Sequence, residues 1–316
     1  MDSWQITLII LLALLVVNYL VIKYVVGTGV PTMVDNINEA FTVQEGFSGG
    51  TAEDGIVENF NNDTLYDTFY SKIYDQIVQG DVRSRAEVLL TLGWLKKYRS
   101  DAKTVEVLDL GCGTGMHVNE FMKEGLGSAI GIDKSSAMIL RANTLYPNMK
   151  YVVGDVEKPT QFSAGQFNLA TMFYFTIYYV HHKDQILRNI FTWLQPGGAF
   201  VVHIVNREKF DPILESASPF TGFSLQKYSK ERVRRSKVAF DKFDYIAEFT
   251  NEEADAKFTE VFKFKGGRVR KNVHSLHMPT MEHLVHEIEE AGFTFKEFLD
   301  LTPIGYEYQY LFCFLR

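Results

Sequence analysis

The segment Val107-Leu-Asp-Leu-Gly-Cys-Gly-Thr-Gly115 constrains this chain more than any other. An apolar run of strand character passes directly into three glycines spaced by single residues, and a helical pattern starts at Met116. Glycines permit a tight turn and close approach of a ligand to the backbone, and the first turn of the helix leaves amide donors unpaired. A second strand-like run ends in Gly131-Ile-Asp133, where a carboxylate can accept both hydroxyls of a ribose. Two better-known phosphate-binding loops do not match. The dinucleotide pattern G-x-G-x-x-G needs Gly or Ala where Met116 stands, and the Walker pattern needs G-K-[ST], which is absent.

Around this loop, strand and helix patterns alternate. Helical stretches are expected at Leu65 to Val78 and Val82 to Tyr98. Strands follow at Thr104 to Leu110, Ser128 to Asp133, Tyr151 to Gly154, Phe167 to Phe173 and Ala199 to Val205, separated by helices from Met116, Ser135 and Lys183. Strands divided by helices of this length indicate βαβ units and a parallel sheet. After Asn206 the pattern changes to long extended runs, Phe240 to Phe249 and Phe258 to His277, and a helix at Met281 to Ala291 with two further strands closes the chain. The expected domain is 59–316, with an insertion over about 207–280.

The N-terminal end differs in composition. Residues 6–26 are almost wholly apolar, and as a helix they reach ~31 Å, enough to cross a bilayer core. Trp4, Tyr19 and Tyr24 lie towards the ends, where aromatic rings favour the interface. Asp2 in place of a basic leader argues against a cleaved signal. Residues 1–26 are therefore expected to be a transmembrane anchor and 27–58, free of Lys and Arg, a flexible tether. The expectation is a single-pass membrane protein with a cytosolic catalytic domain. Two cysteines, Cys112 and Cys313, leave no disulfide framework, and the net charge of −7 argues against a nucleic-acid coat while leaving a local basic patch open.

The string DLGCGTG, followed by Gly131-Ile-Asp133, Gly154-Asp155-Val156, Phe167-Asn-Leu-Ala and Leu194-Gln-Pro-Gly-Gly198, resembles the class I S-adenosylmethionine-dependent methyltransferases. The resemblance implies an α/β, Rossmann-like seven-stranded mixed sheet, here with an added antiparallel β cap and the N-terminal transmembrane helix. It also implies S-adenosylmethionine as cofactor. Carried over by position, Asp109, Gly111, Gly113 and Gly115 would surround the methionine end of that cofactor. Asp133, with Lys134 beside it, would hold the ribose. Asp155 and the Val156 backbone would meet the adenine, and Phe173 and Tyr174 would line the floor. Asn168 stands where the family commonly has Asp.

The acceptor is less legible. The Asn/Asp-Pro-Pro-Tyr/Phe motif of base amino-methylation is missing after the fourth strand, where Met172-Phe-Tyr-Phe-Thr176 stands. Ile73-Tyr-Asp75, Gly115-Met-His117 and Lys271-Asn-Val-His-Ser-Leu-His277 resemble sugar aminomethyltransferases and, more distantly, glycine N-methyltransferase-like enzymes. That resemblance implies a small-molecule amine acceptor, His274 as base or substrate partner, and Tyr74, with Tyr70, as a lid. His181 and His182 are the next candidates, His203 reads as packing, and His283 and His286 as surface residues. No metal site is expected, because no acidic cluster accompanies the histidines. The basic runs Lys227 to Lys237 and Lys263 to Lys271 read as a solvated face balanced by the acids of Asp241 to Glu260. An RNA or protein methyltransferase, or an inactive membrane-anchored assembly protein retaining the fold, are the alternatives.

Overall fold

Two sheets divide the strands between a core and a cap. The computed structural model describes residues 57–78, 80–98, 104–211, 233–240 and 242–316. The expected anchor, and the expected tether except its last two residues, lie outside them. Among the described residues no helix is long and apolar enough to cross a membrane.

In chain order the elements are β1 (Val57–Phe60), α1 (Thr68–Val78), α2 (Gly80–Tyr98), β2 (Glu106–Leu110), α3 (Met116–Lys123), β3 (Ser128–Asp133), α4 (Ser136–Leu145), β4 (Lys150–Val153) and β5 (Phe167–Met172). There follow α5 (Lys183–Trp193), β6 (Leu194–Val205), β7 (Arg235–Ala239), β8 (Phe243–Glu252), β9 (Asp255–Phe264), β10 (Val269–His277), α6 (Met281–Glu290), β11 (Thr294–Asp300) and β12 (Gln309–Leu315).

The core sheet has seven strands in the order β11-β12-β6-β5-β2-β3-β4, mixed as expected: β4, β3, β2, β5 and β6 are parallel, while β12 is antiparallel to β6 and to β11. Successive side chains of a strand point to opposite faces. Leu108 and Leu110 thus join Ile186, Ile190, Trp193, Leu284 and Ile288 of α5 and α6, whereas Val107 joins Val88, Leu92, Val118 and Phe121 of α2 and α3. Covered on both faces, β5 is buried along its whole length. Asn168 knits the lower edge: its Oδ1 accepts from the Glu106 N–H at 2.8 Å and its Nδ2 donates to Gln195 Oε1 at 2.7 Å.

The cap sheet runs β1-β10-β9-β8-β7. Its antiparallel part, β7 to β10, is the expected insertion. The chain reaches it earlier than expected, because β1 already pairs parallel to β10, Val57 opposite Val269 and Phe60 opposite Asn272. Residues 57 and 58 therefore belong to the folded unit and not to the tether. The expected solvated face also needs correction. Glu260 and Arg270 are both buried, because β10 alternates and sends Arg270, Asn272, His274 and Leu276 inward.

Arg270 draws α1 onto the cap. Its Nη1 pairs with Asp67 Oδ2 at 2.7 Å, Nη2 donates to Leu65 O at 2.8 Å and Nε donates to Asn272 Oδ1 at 2.8 Å. The guanidinium also lies 3.9 Å from the Phe60 ring centroid. Arg270→Ala is expected to cost about 3 kcal/mol, the low end for a broken buried pair because Asp67 keeps some solvent. Urea unfolding followed by tryptophan fluorescence measures it. Arg270→Lys should recover only part, since a single ammonium cannot serve three separated partners.

Candidate functional site

The carboxyl end of β2 runs into the turn 111–115, and each of its glycines is left-handed, with φ of 67° at Gly111, 53° at Gly113 and 84° at Gly115. A side chain at Gly111 would strike Thr176, and one at Gly115 would strike the Tyr151 hydroxyl. At Gly113 the added carbon would stand 3.6 Å from Tyr74 Cε1. The turn is tied to the end of β3: the Gly111 and Cys112 N–H groups both donate to Ile132 O, at 2.8 and 3.0 Å. The Asp133 carboxylate then accepts from Gly113 N–H at 2.9 Å and from Ser135 N–H at 2.8 Å. Burial raises the Asp133 carboxyl, against these two amide bonds. From above, α1 closes on the turn, with the Thr114 hydroxyl donating to Asp75.

A cleft of about 420 Å³, counting its open mouth, lies at this turn and is lined by Tyr74, Arg83, Asp109, Gly111, Gly113, His117, Phe173 and Thr176 among others. Asp109 accepts from the Thr171 hydroxyl at 2.8 Å through Oδ1, while its buried Oδ2 has no hydrogen-bond partner among the described residues. Burial pushes the Asp109 carboxyl up to about 6, against the pull of His117 and Thr171. Arg83 is buried, its guanidinium 3.9 Å from the centroid of Tyr174. Tyr174 itself is left-handed, with φ of 53°, the kind of backbone strain that concentrates at functional sites.

Behind them, Glu87 is wholly buried and accepts from His117 Nε2 at 2.7 Å. Burial alone would raise Glu87, but the His117 bond and the Arg83 charge outweigh it and hold the carboxyl below its ordinary value. The His117 ring stacks on Phe173 with centroids 4.3 Å apart. His203 is buried as expected, and burial lowers it to about 4, leaving a neutral imidazole. The Cys112 thiol is buried and pushed well up by that burial, so it is no nucleophile at neutral pH.

Of the residues expected at the site, Tyr74, Asp109, Gly111, Gly113, Phe173 and Tyr174 line the cleft. Gly115 caps α3 and Asp133 clamps the turn. Lys134 turns outward, with Nζ 3.3 Å from Asp63 and both side chains exposed. Asp155 and Val156 sit beyond the cleft lining, in the turn after β4. There Asp155 Oδ1 accepts from Glu157 N–H, and Val156 O accepts from Asn189 Nδ2. His274 is buried with both nitrogens engaged: Nε2 lies 2.8 Å from Glu260 Oε2, and Nδ1 lies 2.6 Å from the Tyr179 hydroxyl. The rings of Tyr66, Tyr70 and Tyr179 surround it, and Tyr66 and Tyr70 also touch Tyr74. Sequence reasoning missed Arg83, Glu87 and the service of His117. Their signal was present in α2, where Arg83, Glu87 and Thr91 recur every four residues beside the apolar stripe Val88, Leu92 and Leu95.

The family described as "Methyltransferase domain" matches residues 107–198. A methyltransferase, 235L, of Invertebrate iridescent virus 6 is 41% identical over 59 residues, 18% of this chain and 22% of that one. The dTDP-4-amino-2,3,4,6-tetradeoxy-D-glucose N,N-dimethyltransferase of Saccharopolyspora spinosa is 29% identical over 143 residues, 44% of this chain and 55% of that one. The chain thus spans little more than half the length of the second relative and less of the first. Among solved structures, the CcbJ methyltransferase of Streptomyces caelestis superposes with a TM-score of 0.60 at 17% identity, over 80% of this chain and 98% of that one, a likeness of fold. Residues 107–198 are a methyltransferase domain of the S-adenosylmethionine-dependent class, and the core sheet is the class I fold.

The site fits that cofactor's charges. A methionine zwitterion needs an anion and a cation, and the cleft offers Asp109, with an unpartnered buried oxygen, and the Arg83 guanidinium. An ammonium pairs with the ionised form of Asp109, whose carboxyl titrates near 6. S-adenosylmethionine affinity should therefore be full above that pH and weaken as pH falls through it. Titration calorimetry from pH 5 to 8 reads this; in Asp109→Asn the affinity should be lower throughout and the slope lost.

Proposed function

We propose that this chain is an S-adenosylmethionine-dependent methyltransferase that methylates an amine nitrogen of a small, sugar-like molecule. The observation that carries the reading is the glycine turn clamped by Asp133, opening on a cleft that holds both Asp109 and Arg83. The likeness to an amino-sugar N,N-dimethyltransferase supports the acceptor class. The cofactor supplies an electrophilic methyl on a sulfonium; the protein's part is to hold donor and acceptor in line and exclude water. Tyr74, roofing the turn from α1, does the excluding.

A protonated amine has no lone pair and must first lose a proton. Glu260 stays ionised: burial would raise it, but its interaction with His274 and the hydrogen bonds from Asn272 and Tyr245 outweigh that. An ionised Glu260 accepts a hydrogen bond from the Nε2–H of His274 and so leaves Nδ1 to accept from Tyr179, whose hydroxyl burial keeps protonated. His274 then acts through Tyr179. The amine proton moves to the Tyr179 oxygen, the Tyr179 proton moves to Nδ1, and the resulting imidazolium is paired with Glu260. Such a general base contributes ~10²–10⁴-fold.

His274→Ala should keep cofactor affinity while kcat falls within that range, and Tyr179→Phe should match it. Tyr74→Phe should act mainly on acceptor KM. Single-turnover assays with an amino-sugar nucleotide separate these effects, and unchanged turnover in His274→Ala would remove the relay. Gly113→Val should abolish cofactor binding, because its branches enter the space beneath Tyr74.

The same reading includes an anchor at residues 6–26, with the catalytic part on the cytosolic side, where the cofactor is made. The support is the apolar run and its flanking aromatics. The full chain should resist alkaline extraction from membranes, whereas a chain starting at Val57 should be soluble without detergent. A full chain released by alkali removes the anchor.

A further inference from the structure

The outer face of β10 carries chemistry that the methyl-transfer site does not use. His274 and His277 are three residues apart on one strand, so His277 faces away from the relay. Across the hairpin, its register partner is Asp255, the first residue of β9. His277 Nδ1 lies 3.2 Å from Asp255 Oδ1. His181, from the segment between β5 and α5, brings its ring to 5.8 Å from the His277 ring, tilted by 31°. One ligand atom from each of the three lies within 4.8 Å of the others.

Two cations, Lys183 buried and Arg207 half-buried, fix the backbone on which these side chains stand. Lys183 is buried and its Nζ donates to Val180 O at 2.7 Å and to His277 O at 3.0 Å, joining the residue before His181 to His277 itself. Arg207 Nη1 donates to Met278 O at 3.0 Å and to Glu253 O, binding the chain just after His277 to the turn just before Asp255. The three donors therefore converge through fixed main chain and not through chance side-chain placement. Their chains meet only in the tertiary structure, Asp255 lying on one strand, His277 on the next and His181 in the core domain.

We propose that His181, Asp255 and His277 bind a divalent transition-metal ion, Zn²⁺ foremost. Two imidazoles and one carboxylate are a borderline donor set that suits Zn²⁺ over Mg²⁺ or Ca²⁺, which prefer all-oxygen shells. The ion replaces the hydrogen bond between His277 and Asp255, and because His181 and Asp255 are exposed, water completes the shell. The ion joins the cap to the core segment that also carries Thr176, under Gly111, and Tyr179, on His274. Occupancy thus stiffens the link between the cap and the floor of the cleft, a function separate from methyl transfer.

The test uses the full chain in detergent, without a polyhistidine tag and stripped of metal. Titration with Co²⁺ should give one saturating equivalent with visible d–d absorbance, displaced by Zn²⁺. His181→Ala and His277→Ala should each weaken Co²⁺ binding by at least ~10–100-fold, the loss seen for mere outer-shell partners and so a floor for a ligand. Asp255→Asn should weaken it less. Saturating Zn²⁺ should raise the thermal midpoint of the wild-type chain and not of His277→Ala. The double variant His283→Ala/His286→Ala, on the exposed face of α6, should bind as wild type. An absence of saturable Co²⁺ absorbance, full binding in both His181→Ala and His277→Ala, or loss of the equivalent in the α6 double variant would each overturn the proposal.

Discussion

Glu260 is a carboxylate with no access to solvent, and the cap is arranged around satisfying it. Burying an ionised carboxylate costs several kcal/mol unless hydrogen-bond donors replace its water. Here the Tyr245 hydroxyl donates at 2.8 Å, Asn272 Nδ2 at 3.1 Å and His274 Nε2 at 2.8 Å. Asn272 in turn accepts from Arg270, and Arg270 reaches Asp67 and the Leu65 carbonyl. A continuous polar seam thus runs from α1 through the inner face of β10 to Tyr179 in the core domain. Removing one member leaves its neighbours buried and unpaired, which is why such seams rigidify what they cross.

The seam determines where the cleft's roof lies. Its end at Arg270 holds the residues that precede α1, and α1 carries Tyr70 and Tyr74 as well as Asp75, which accepts from Thr114 in the glycine turn. Its other end holds Tyr179, in the same short helical turn as Thr176, which packs under Gly111. Roof and floor of the cleft are therefore referenced to one buried carboxylate. A second buried carboxylate, Glu87, performs the matching service on the other side. It orients His117 and lies beside Arg83, whose guanidinium is stacked on Tyr174.

The division of labour follows from these two networks. The parallel sheet presents the glycine turn and Asp133, a backbone cradle whose shape is local. The N-terminal helices and the cap add the side chains packed over that cradle, Tyr70, Tyr74 and Arg83 from the helices and His274 from the cap. Fold alone leaves the acceptor open; in the function proposed above, the tyrosine cluster around His274 is what would narrow it, because aromatic walls and a single relay suit a small amine better than a polymer backbone.

The sequence by itself determined whatever depends on short-range pattern. The glycine turn was legible because left-handed φ at Gly111, Gly113 and Gly115 favours glycine, and Asp133 because it ends the short apolar run Ala129 to Ile132. The core strands and helices fell within a few residues of expectation, since each obeys its own period. Strand periodicity alone places His274 and His277 on opposite faces, but which of the two turns inward is decided by the packing of the cap. Long-range pairing was not legible. Nothing in Val57-Glu-Asn-Phe60 announces a parallel edge to a strand more than 200 residues later. Charged residues such as Glu260 and Arg270 read as solvated until the tertiary structure supplies each with buried partners. The same holds for Arg83 and Glu87, and for Asp255 meeting two histidines from different elements. Local periodicity states which face a residue occupies, and only the packed chain states what stands opposite that face.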